Sequence, residues 1–167
     1  LVLAGSVPNT LPKDIYEQIL NKLSNKNIMF VVDATGNLLL NTLKYKPFLI
    51  KPNKQELEEI CGEKLNDDKD IISAAKNLQN LGAKNVLVSL GGDGAILLDE
   101  NGKIHQSKAH SGKVLNSVGA GDSMLAGFLC GVDKGYEYAF KLSLAAGSAT
   151  AFSYNLATKE EIYNLFN

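Results

Sequence analysis

The sequence predicts an α/β fold in which a mostly parallel sheet lies between layers of helices. Apolar strand-like segments alternate along the chain with amphipathic helical segments, and parallel strands require such crossover connections. The strands lack a polar face, as in Val86–Val88, which indicates that helices cover both sides of the sheet. The turn sequence Asn101-Gly102 between the segments 95–98 and 103–106 predicts an antiparallel hairpin at one end.

Six strands account for this sheet, and most of them are apolar runs bounded by polar or turn residues. They are predicted at 1–4, 28–33, 48–50, 86–88, 95–98 and 103–106. Pro52 follows the third strand and disfavours its continuation, because proline has no N–H for the hydrogen-bond ladder. The last two strands flank the predicted turn at 99–102.

Helical periodicity and capping residues predict seven helices around the strands. One is opened by Pro12, one lies around 38–43, one runs through Leu57 and Ile60, one lies between the capping residues Asn66 and Asp67 and the stop at Gly82, and three cover 120–129, 136–152 and 159–165. With the strands, they place helices on both faces of the sheet.

The composition is that of one ordinary globular domain with enough chain for a core. The 167 residues are 45% apolar and 21% charged, with a formal net charge of −1. There is no basic cluster, cationic leader or long uncharged apolar segment, so we expect no nucleic acid and no membrane among its partners. A cytoplasmic location is the default expectation.

The cysteines and histidines show no metal-binding spacing. Cys61 and Cys130 are few and far apart, so we expect buried free thiols rather than a disulfide framework or metal site. His105 and His110 share one segment without a nearby ligand pattern, and we expect both at the surface.

A glycine-rich segment at 117–128 places one carboxylate behind two glycines at the start of a helix. Gly119 and Gly121 lack the side chains that would keep a polyanion away from the backbone, and the first helical amides are free to bind negative charge. A carboxylate repels phosphate, so Asp122 in this position suggests a general base for phosphoryl transfer. An acidic residue favoured by the helix dipole is the alternative.

Ligands of such sheets bind beyond the carboxyl ends of the strands, and four of these loops carry suitable residues. Ser6 follows the first strand and could donate to a substrate oxygen, or serve only in a turn. The second strand ends in the segment 33–36, which a turn explains adequately. The fourth loop contains Ser89, Gly91 and Gly94, and its glycines permit close approach of a nucleotide, although such turns are common.

The third loop offers a cation and two oxygen-bearing side chains. Lys51 is a point charge for phosphate at a strand end. Asn53 and Glu56 lie three residues apart on one helix face and could hold a magnesium ion through its waters. A helix capping box would use the same two residues, and by themselves they favour it.

Taken together, these loops resemble the ribokinase-like PfkB family of carbohydrate kinases over essentially the whole chain. The segment 116–122 matches the family motif with its Gly-Ala-Gly-Asp centre, and 124–128 continues the match. Asn53 and Glu56 match the N-x-x-E motif, and Ser89, Gly91 and Gly94 match the nucleotide segment. The segments 33–36, 51–53 and 118–124 look most like the hexose-phosphate branch, which includes 1-phosphofructokinase and tagatose-6-phosphate kinase.

The resemblance implies a three-layer α/β/α ribokinase-like sandwich and a role for each matching residue. Asp122 would deprotonate the sugar hydroxyl while the backbone of Gly119, Ala120 and Gly121 binds the transferred phosphate. The ATP site would comprise Lys51, Asn53, Ser89, Gly91, Gly94 and Gly121. Asn53 and Glu56 would hold the Mg²⁺ shell, Ser6 would face the phosphosugar, and the stretch 145–150 would pack beside the adenine.

The implied reaction is transfer from ATP to a hydroxyl of a phosphorylated ketohexose, with fructose 1-phosphate giving fructose 1,6-bisphosphate. Tagatose-6-phosphate kinase, another sugar or nucleoside kinase of the family, and a non-catalytic regulator that binds nucleotide or sugar phosphate are the alternatives. Asn116 departs from the aspartate that many members carry at a position associated with a monovalent-cation site.

The resemblance also implies that residues 1–167 are the C-terminal part of a single kinase domain. This part would be the nucleotide-binding and catalytic half, without the N-terminal sugar-binding half and its lid. The expected partners are ATP and a phosphosugar, and the parent protein would form a homodimer through the lid.

Overall fold

The computed structural model describes all 167 residues and contains a six-stranded sheet. The strands are β1 Val2–Ala4, β2 Val31–Asp33, β3 Leu49–Ile50, β4 Asn85–Ser89, β5 Ala95–Leu98 and β6 Ile104–Ser107, in the order of the sequence. The pairs β1–β2, β2–β3 and β3–β4 are parallel. Because a tight turn with Asp99 N–H bonded to Lys103 O joins β5 to β6, these two strands run antiparallel. The predicted α/β class is confirmed.

Seven α-helices accompany the sheet, as predicted. They are α1 Ile15–Leu23, α2 Gly36–Leu40, α3 Lys54–Cys61, α4 Asp68–Asn80, α5 Ala120–Gly131, α6 Tyr136–Ala151 and α7 Lys159–Phe166. Helix α1 begins three residues after Pro12, because the Pro12 carbonyl first closes a tight turn with the Ile15 N–H. No helix combines the length and the apolar character needed to cross a membrane.

The chain divides into two compact units, of which the first comprises Leu1–Ser89 and Ile96–Ile104. Its core contains fully buried apolar side chains from strands and helices, among them Leu20, Val32, Leu39, Ile50, Leu57 and Leu87. Asp67 caps α4 as predicted, because its side chain accepts from the Lys69 and Asp70 N–H groups. Gly82 has φ +133°, and a Cβ there would collide with the Leu43 carbonyl oxygen.

The second unit comprises Leu90–Ala95 and His105–Asn167, and helices α5 and α6 form its centre. The two helices approach closely at Gly127, where a Cβ would lie 2.8 Å from Leu142 O and 2.9 Å from Ala146 Cβ. Small residues along α6 therefore serve a close helix contact. Helix α7 begins with a capping box between Thr158 and Glu161.

The expected burial of the cysteines and the expected exposure of one histidine were wrong. Cys61 and Cys130 are free but exposed. Cys130 lies two residues after the buried Phe128, and helix geometry turns the side chain at that spacing to the opposite side. His105 is buried and packs near Phe140, with ring centroids 6.1 Å apart, whereas His110 is half-buried.

Candidate active site

The carboxyl ends of β1–β4 place most of the predicted residues of the first unit at one edge of the sheet. The loop carrying Ser6 follows β1, where the Gly5 N–H donates to the Asp33 carbonyl at 3.1 Å. At the next strands, Asn53 forms a parallel bridge with Ser89, and the Ser89 N–H donates to Pro52 O at 3.1 Å. The expected gathering of strand-end loops therefore holds within this unit.

Lys51 is buried at this edge and forms an ion pair that was not predicted. Its Nζ lies 3.2 Å from Asp33 Oδ2, and the two side chains are 8% and 17% exposed. The sequence interpretation assigned Asp33 only to a turn. The β2–β3 register pairs Val32 with Ile50 and so places Asp33 beside Lys51, a relation that no local sequence signal contains.

Asn53 and Glu56 form the capping box that their spacing favours. Glu56 N–H donates to Asn53 Oδ1 and Asn53 N–H donates to Glu56 Oε2, both at 2.8 Å. The Glu56 Oε1 atom is left without a hydrogen-bond partner in the chain. No group of three or more His, Cys, Asp or Glu side chains surrounds a metal position. These residues therefore fit an ion held mainly through waters and phosphate oxygens.

Tyr16 on α1 holds the loop that contains Ser6. Its hydroxyl donates to the carbonyls of Ala4 at 2.8 Å and Gly5 at 3.0 Å. Burial, and to a smaller extent the Asp33 charge, raise the pKa of Tyr16, so the hydroxyl keeps its proton at neutral pH. Sequence reasoning missed this residue, because one tyrosine in an amphipathic helix carries no sign of its contacts.

The two glycines that follow β4, Gly91 and Gly94, are suited to their positions for different structural reasons. Gly91 is in the left-handed region at φ +61°, and the space where its Cβ would stand is open. Gly94, at φ +101°, would bring a Cβ against the backbone of Ser107 and to 2.7 Å from Lys108 Cα. Close approach of a ligand is therefore open at Gly91, whereas backbone packing already requires glycine at Gly94.

The start of α5 has free backbone donors. Gly119 is the N-cap residue with φ +81° and ψ −5°, which places the following amides at the helix N-terminus. The N–H groups of Gly119, Gly121 and Asp122 have no hydrogen-bond partner in the chain, whereas the Ala120 N–H donates to Ser117 O at 3.2 Å. The free amides and the helix dipole make this turn attractive to an anion.

Asp122 lies in the first turn of α5 and is exposed. Its carboxylate forms no ion pair and no hydrogen bond with any other residue of the chain. Both oxygens are therefore available to an incoming proton donor.

The loop that leads into this turn is attached to the end of α6. The N–H groups of Leu115 and Asn116 donate to Ala151 O at 2.8 and 3.2 Å. The Asn116 side chain accepts from the Val118 N–H at 3.0 Å and donates to Tyr154 O at 3.4 Å. Asn116 thus orders the loop before Gly119.

A family model described as pfkB family carbohydrate kinase matches residues 1–162. The chain belongs to this family. Membership confirms the predicted resemblance to the PfkB family. The roles of the individual residues stay predictions.

Two curated relatives and one solved structure show the range of pfkB proteins that the chain is similar to. It is 44% identical to the 1-phosphofructokinase of Bacillus subtilis, over 99% of this chain and 55% of that protein. It is 38% identical to the D-tagatose-1-phosphate kinase of Bacillus licheniformis, over 93% and 52%. Phosphofructokinase-2 from Escherichia coli in complex with fructose-6-phosphate superposes with a TM-score of 0.89 at 28% identity, over 99% and 54%. The chain spans about half the length of these relatives.

Proposed function

We propose that the protein is an ATP-dependent kinase that phosphorylates a hydroxyl of a phosphorylated ketohexose. The preferred acceptor is fructose 1-phosphate, and the product is fructose 1,6-bisphosphate. One observation carries the proposal, namely an exposed and unpaired Asp122 carboxylate directly beside the free amides of Gly119 and Gly121. An anion site that also contains a base is suited to phosphoryl transfer rather than to simple phosphate storage.

In this mechanism the first turn of α5 supports the transferred group. The free N–H groups donate to its oxygens as negative charge develops on them, and the helix N-terminus adds its positive dipole. The Ala120 N–H already bonds to Ser117, so the donors are those of Gly119, Gly121 and Asp122. They are fixed by helix geometry before the substrate arrives, which reduces the cost of reorganisation.

Asp122 acts as the general base. Its carboxylate takes the proton of the acceptor hydroxyl while that oxygen forms a bond to the γ-phosphorus of ATP. The bond from phosphorus to the bridging oxygen breaks, and ADP leaves with the electron pair. The carboxylate is suited to this step because no cation or donor of the chain occupies it.

The residues that follow the strands supply charge and contact surface in the same proposal. Lys51 offers its ammonium to the ATP phosphates, and Asn53 and Glu56 would hold the waters of a magnesium ion. That ion, when bound, offsets phosphate charge. The nucleotide site is lined by Ser89, Gly91 and Gly94, and Ser6 faces the phosphosugar.

The names of the relatives support the choice of acceptor. Proteins called 1-phosphofructokinase recur among them at up to 44% identity over 99% of the chain. The relative named D-tagatose-1-phosphate kinase is 38% identical and supports a tagatose phosphate as the second candidate. A non-catalytic regulator would have no use for a base, so Asp122 favours the enzyme.

The test is ADP release from Mg-ATP by the full-length protein that contains these residues. Fructose 1-phosphate, fructose 6-phosphate, tagatose 1-phosphate, tagatose 6-phosphate and ribose are offered in parallel. We expect turnover on one phosphosugar and a loss of about 10²- to 10⁴-fold in Asp122→Asn, the usual contribution of a general base. Asp133→Asn, an exposed carboxylate beyond the other end of α5, serves as the matched control and should retain activity.

No turnover on any acceptor while ATP still binds would refute the kinase and favour the regulator. Equal activity of wild type and Asp122→Asn would remove the base from the mechanism.

A further inference from the structure

Thr150 connects three segments of the second unit through one buried hydroxyl. Its side chain is 1% exposed, and the residue lies in the last turn of α6. The hydroxyl donates to Ser123 Oγ at 2.8 Å and accepts from the Ala157 N–H at 3.2 Å. The first turns of α5, the end of α6 and the loop before α7 therefore meet at this oxygen.

This arrangement joins more elements than any other hydroxyl of this region. Ser148 Oγ accepts from the His110 N–H at 3.3 Å and Ser153 Oγ donates to Glu161 Oε1 at 3.2 Å, but neither joins α5 to the loop before α7. Ser143, another buried hydroxyl on α6, is satisfied locally, because its Oγ donates to Phe140 O at 2.7 Å within one helical turn. Such local bonds are the usual solution for a helical hydroxyl. Thr150 instead makes both of its side-chain hydrogen bonds to other segments, so its hydroxyl stabilises tertiary structure rather than its own helix.

Ser123 is the residue that directly follows Asp122. Its hydroxyl accepts from Thr150, and its N–H donates to Gly119 O at 2.9 Å. Asp122 itself has no partner in the chain for its N–H or its carboxylate. The position of Asp122 therefore depends on the anchoring of Ser123 next to it.

The loop on the other side of Thr150 reaches Gly119. The Ala157 N–H bonds to Thr150, and the neighbouring Leu156 lies so near that a Cβ on Gly119 would stand 2.7 Å from its Cδ2. The N-cap of α5 and the residue after Asp122 are thus both attached, directly or through the loop, to one hydroxyl. Misplacement of either would move the free amides between them.

We propose that Thr150 is a positioning residue that holds the first turn of α5 in the geometry required for phosphoryl transfer. The proposal rests on the proposed kinase function. The free amides of the turn act on charge that develops in the transition state, so their displacement lowers kcat more than it weakens substrate binding. Small displacements of such groups have large effects on rate.

The test compares Thr150→Val, Thr150→Ser and Ser143→Ala in the full-length protein. Valine has the size of threonine but can neither donate nor accept, whereas serine restores the hydroxyl. We expect Thr150→Val to lower kcat about tenfold or more, with the KM for the phosphosugar within about twofold of wild type. Thr150→Ser should recover most of kcat. Ser143→Ala removes a buried hydroxyl of the same helix whose bond is local, and it should leave kcat unchanged.

Amide hydrogen exchange provides a second measurement that does not depend on turnover. The Ser123 N–H bonds to Gly119 O within the first turn of α5. Amide exchange at Ser123 should therefore be faster than in wild type in Thr150→Val, but not in Ser143→Ala. Unchanged kcat and unchanged exchange in Thr150→Val would overturn the proposal. So would an equal loss of kcat in Thr150→Ser and Thr150→Val.

The two proposals fail in different ways. If the wild type transfers phosphate to no acceptor, the kinase function fails, and exchange at Ser123 still decides whether Thr150 anchors the turn. If Asp122→Asn abolishes turnover and Thr150→Val does not reduce it, only the positioning role fails.

Discussion

Individual side chains at the strand ends have structural partners in the chain as well as proposed roles in the reaction. Asn53 and Glu56 satisfy the first amides of α3, and their remaining atoms stay available to a hydrated ion. Lys51 is held by Asp33 at 3.2 Å in a setting that is mostly closed to solvent. A buried lysine with its partner in place keeps a defined position, which suits a residue proposed to contact phosphate.

The Asp33–Lys51 pair gives a prediction for stability. Asp33→Asn leaves the Lys51 ammonium buried without its counter-charge and should cost about 3 kcal/mol, within the range for breaking one partner of a buried pair. The double variant Asp33→Asn, Lys51→Met should be less destabilised than Asp33→Asn alone, because no unpaired charge remains. Urea unfolding at neutral pH measures both.

The exposed pair Lys141–Glu137 is the matched control for the buried pair. Its side chains are 63% and 62% exposed at a separation of 3.0 Å, so Lys141→Gln should cost about 0.5 kcal/mol or less. A double variant as destabilised as Asp33→Asn alone, or more so, would contradict the predicted cost of an unpaired Lys51 charge.

At the scale of elements, the contact between α5 and α6 determines which residues can stand at their interface. Gly127→Ala would gain helix propensity of about 1 kcal/mol, yet its Cβ would meet Leu142 O at 2.8 Å. We expect the clash to dominate and the variant to lose about 1–3 kcal/mol of unfolding free energy. Thermal and urea unfolding test this, and a more stable Gly127→Ala would contradict the close contact.

The exposed neighbour Ala126 provides the control for this helix contact. Ala126→Ser lies on the outer side of α5 and should change stability by about 0.5 kcal/mol or less.

The capping box of α7 should make the stability of the folded protein sensitive to acid. Hydrogen bonds from the Thr158 N–H at 2.7 Å and the Thr158 hydroxyl at 2.9 Å, with one from Ser153 at 3.2 Å, lower the pKa of Glu161. A lowered folded-state pKa means that this stabilisation is present above the unfolded value, near 4.3, and is lost as the pH falls through the folded value.

We therefore expect the urea midpoint of wild type to fall more steeply below pH about 4.5 than that of Glu161→Gln, which cannot titrate. The measurement is a series of unfolding curves between neutral and acidic pH. Parallel pH profiles of the two proteins would show that Glu161 does not contribute to the acid sensitivity.

At the scale of the whole molecule, the chain carries the proposed base and the proposed anion site within about half the length of its relatives. The resemblance implies that most residues that position the sugar lie outside residues 1–167. We therefore predict that residues 1–167 expressed alone bind nucleotide weakly and release ADP slowly. Orientation of the acceptor and exclusion of water both require the remaining surface.

The comparison is between residues 1–167 and the full-length protein, each assayed with the same phosphosugar. Sugar-dependent ADP release by the 167 residues at the rate of the full-length protein would refute this dependence. The dimer expected for the parent protein and its cytoplasmic location stay predictions.

The sequence by itself determined the α/β class, the order of strands and helices, the capping of α3 and α4, and the membership of a carbohydrate kinase family. All of these depend on local features: apolar periodicity, turn residues and motifs of a few neighbouring positions. Only the tertiary structure decided that Asp33 pairs with Lys51, that Tyr16 holds the Ser6 loop, and that Thr150 anchors the turn beside Asp122. The physical reason is that these contacts join residues 11 to 27 positions apart in the sequence. Strand register and helix packing, rather than sequence proximity, bring such residues together.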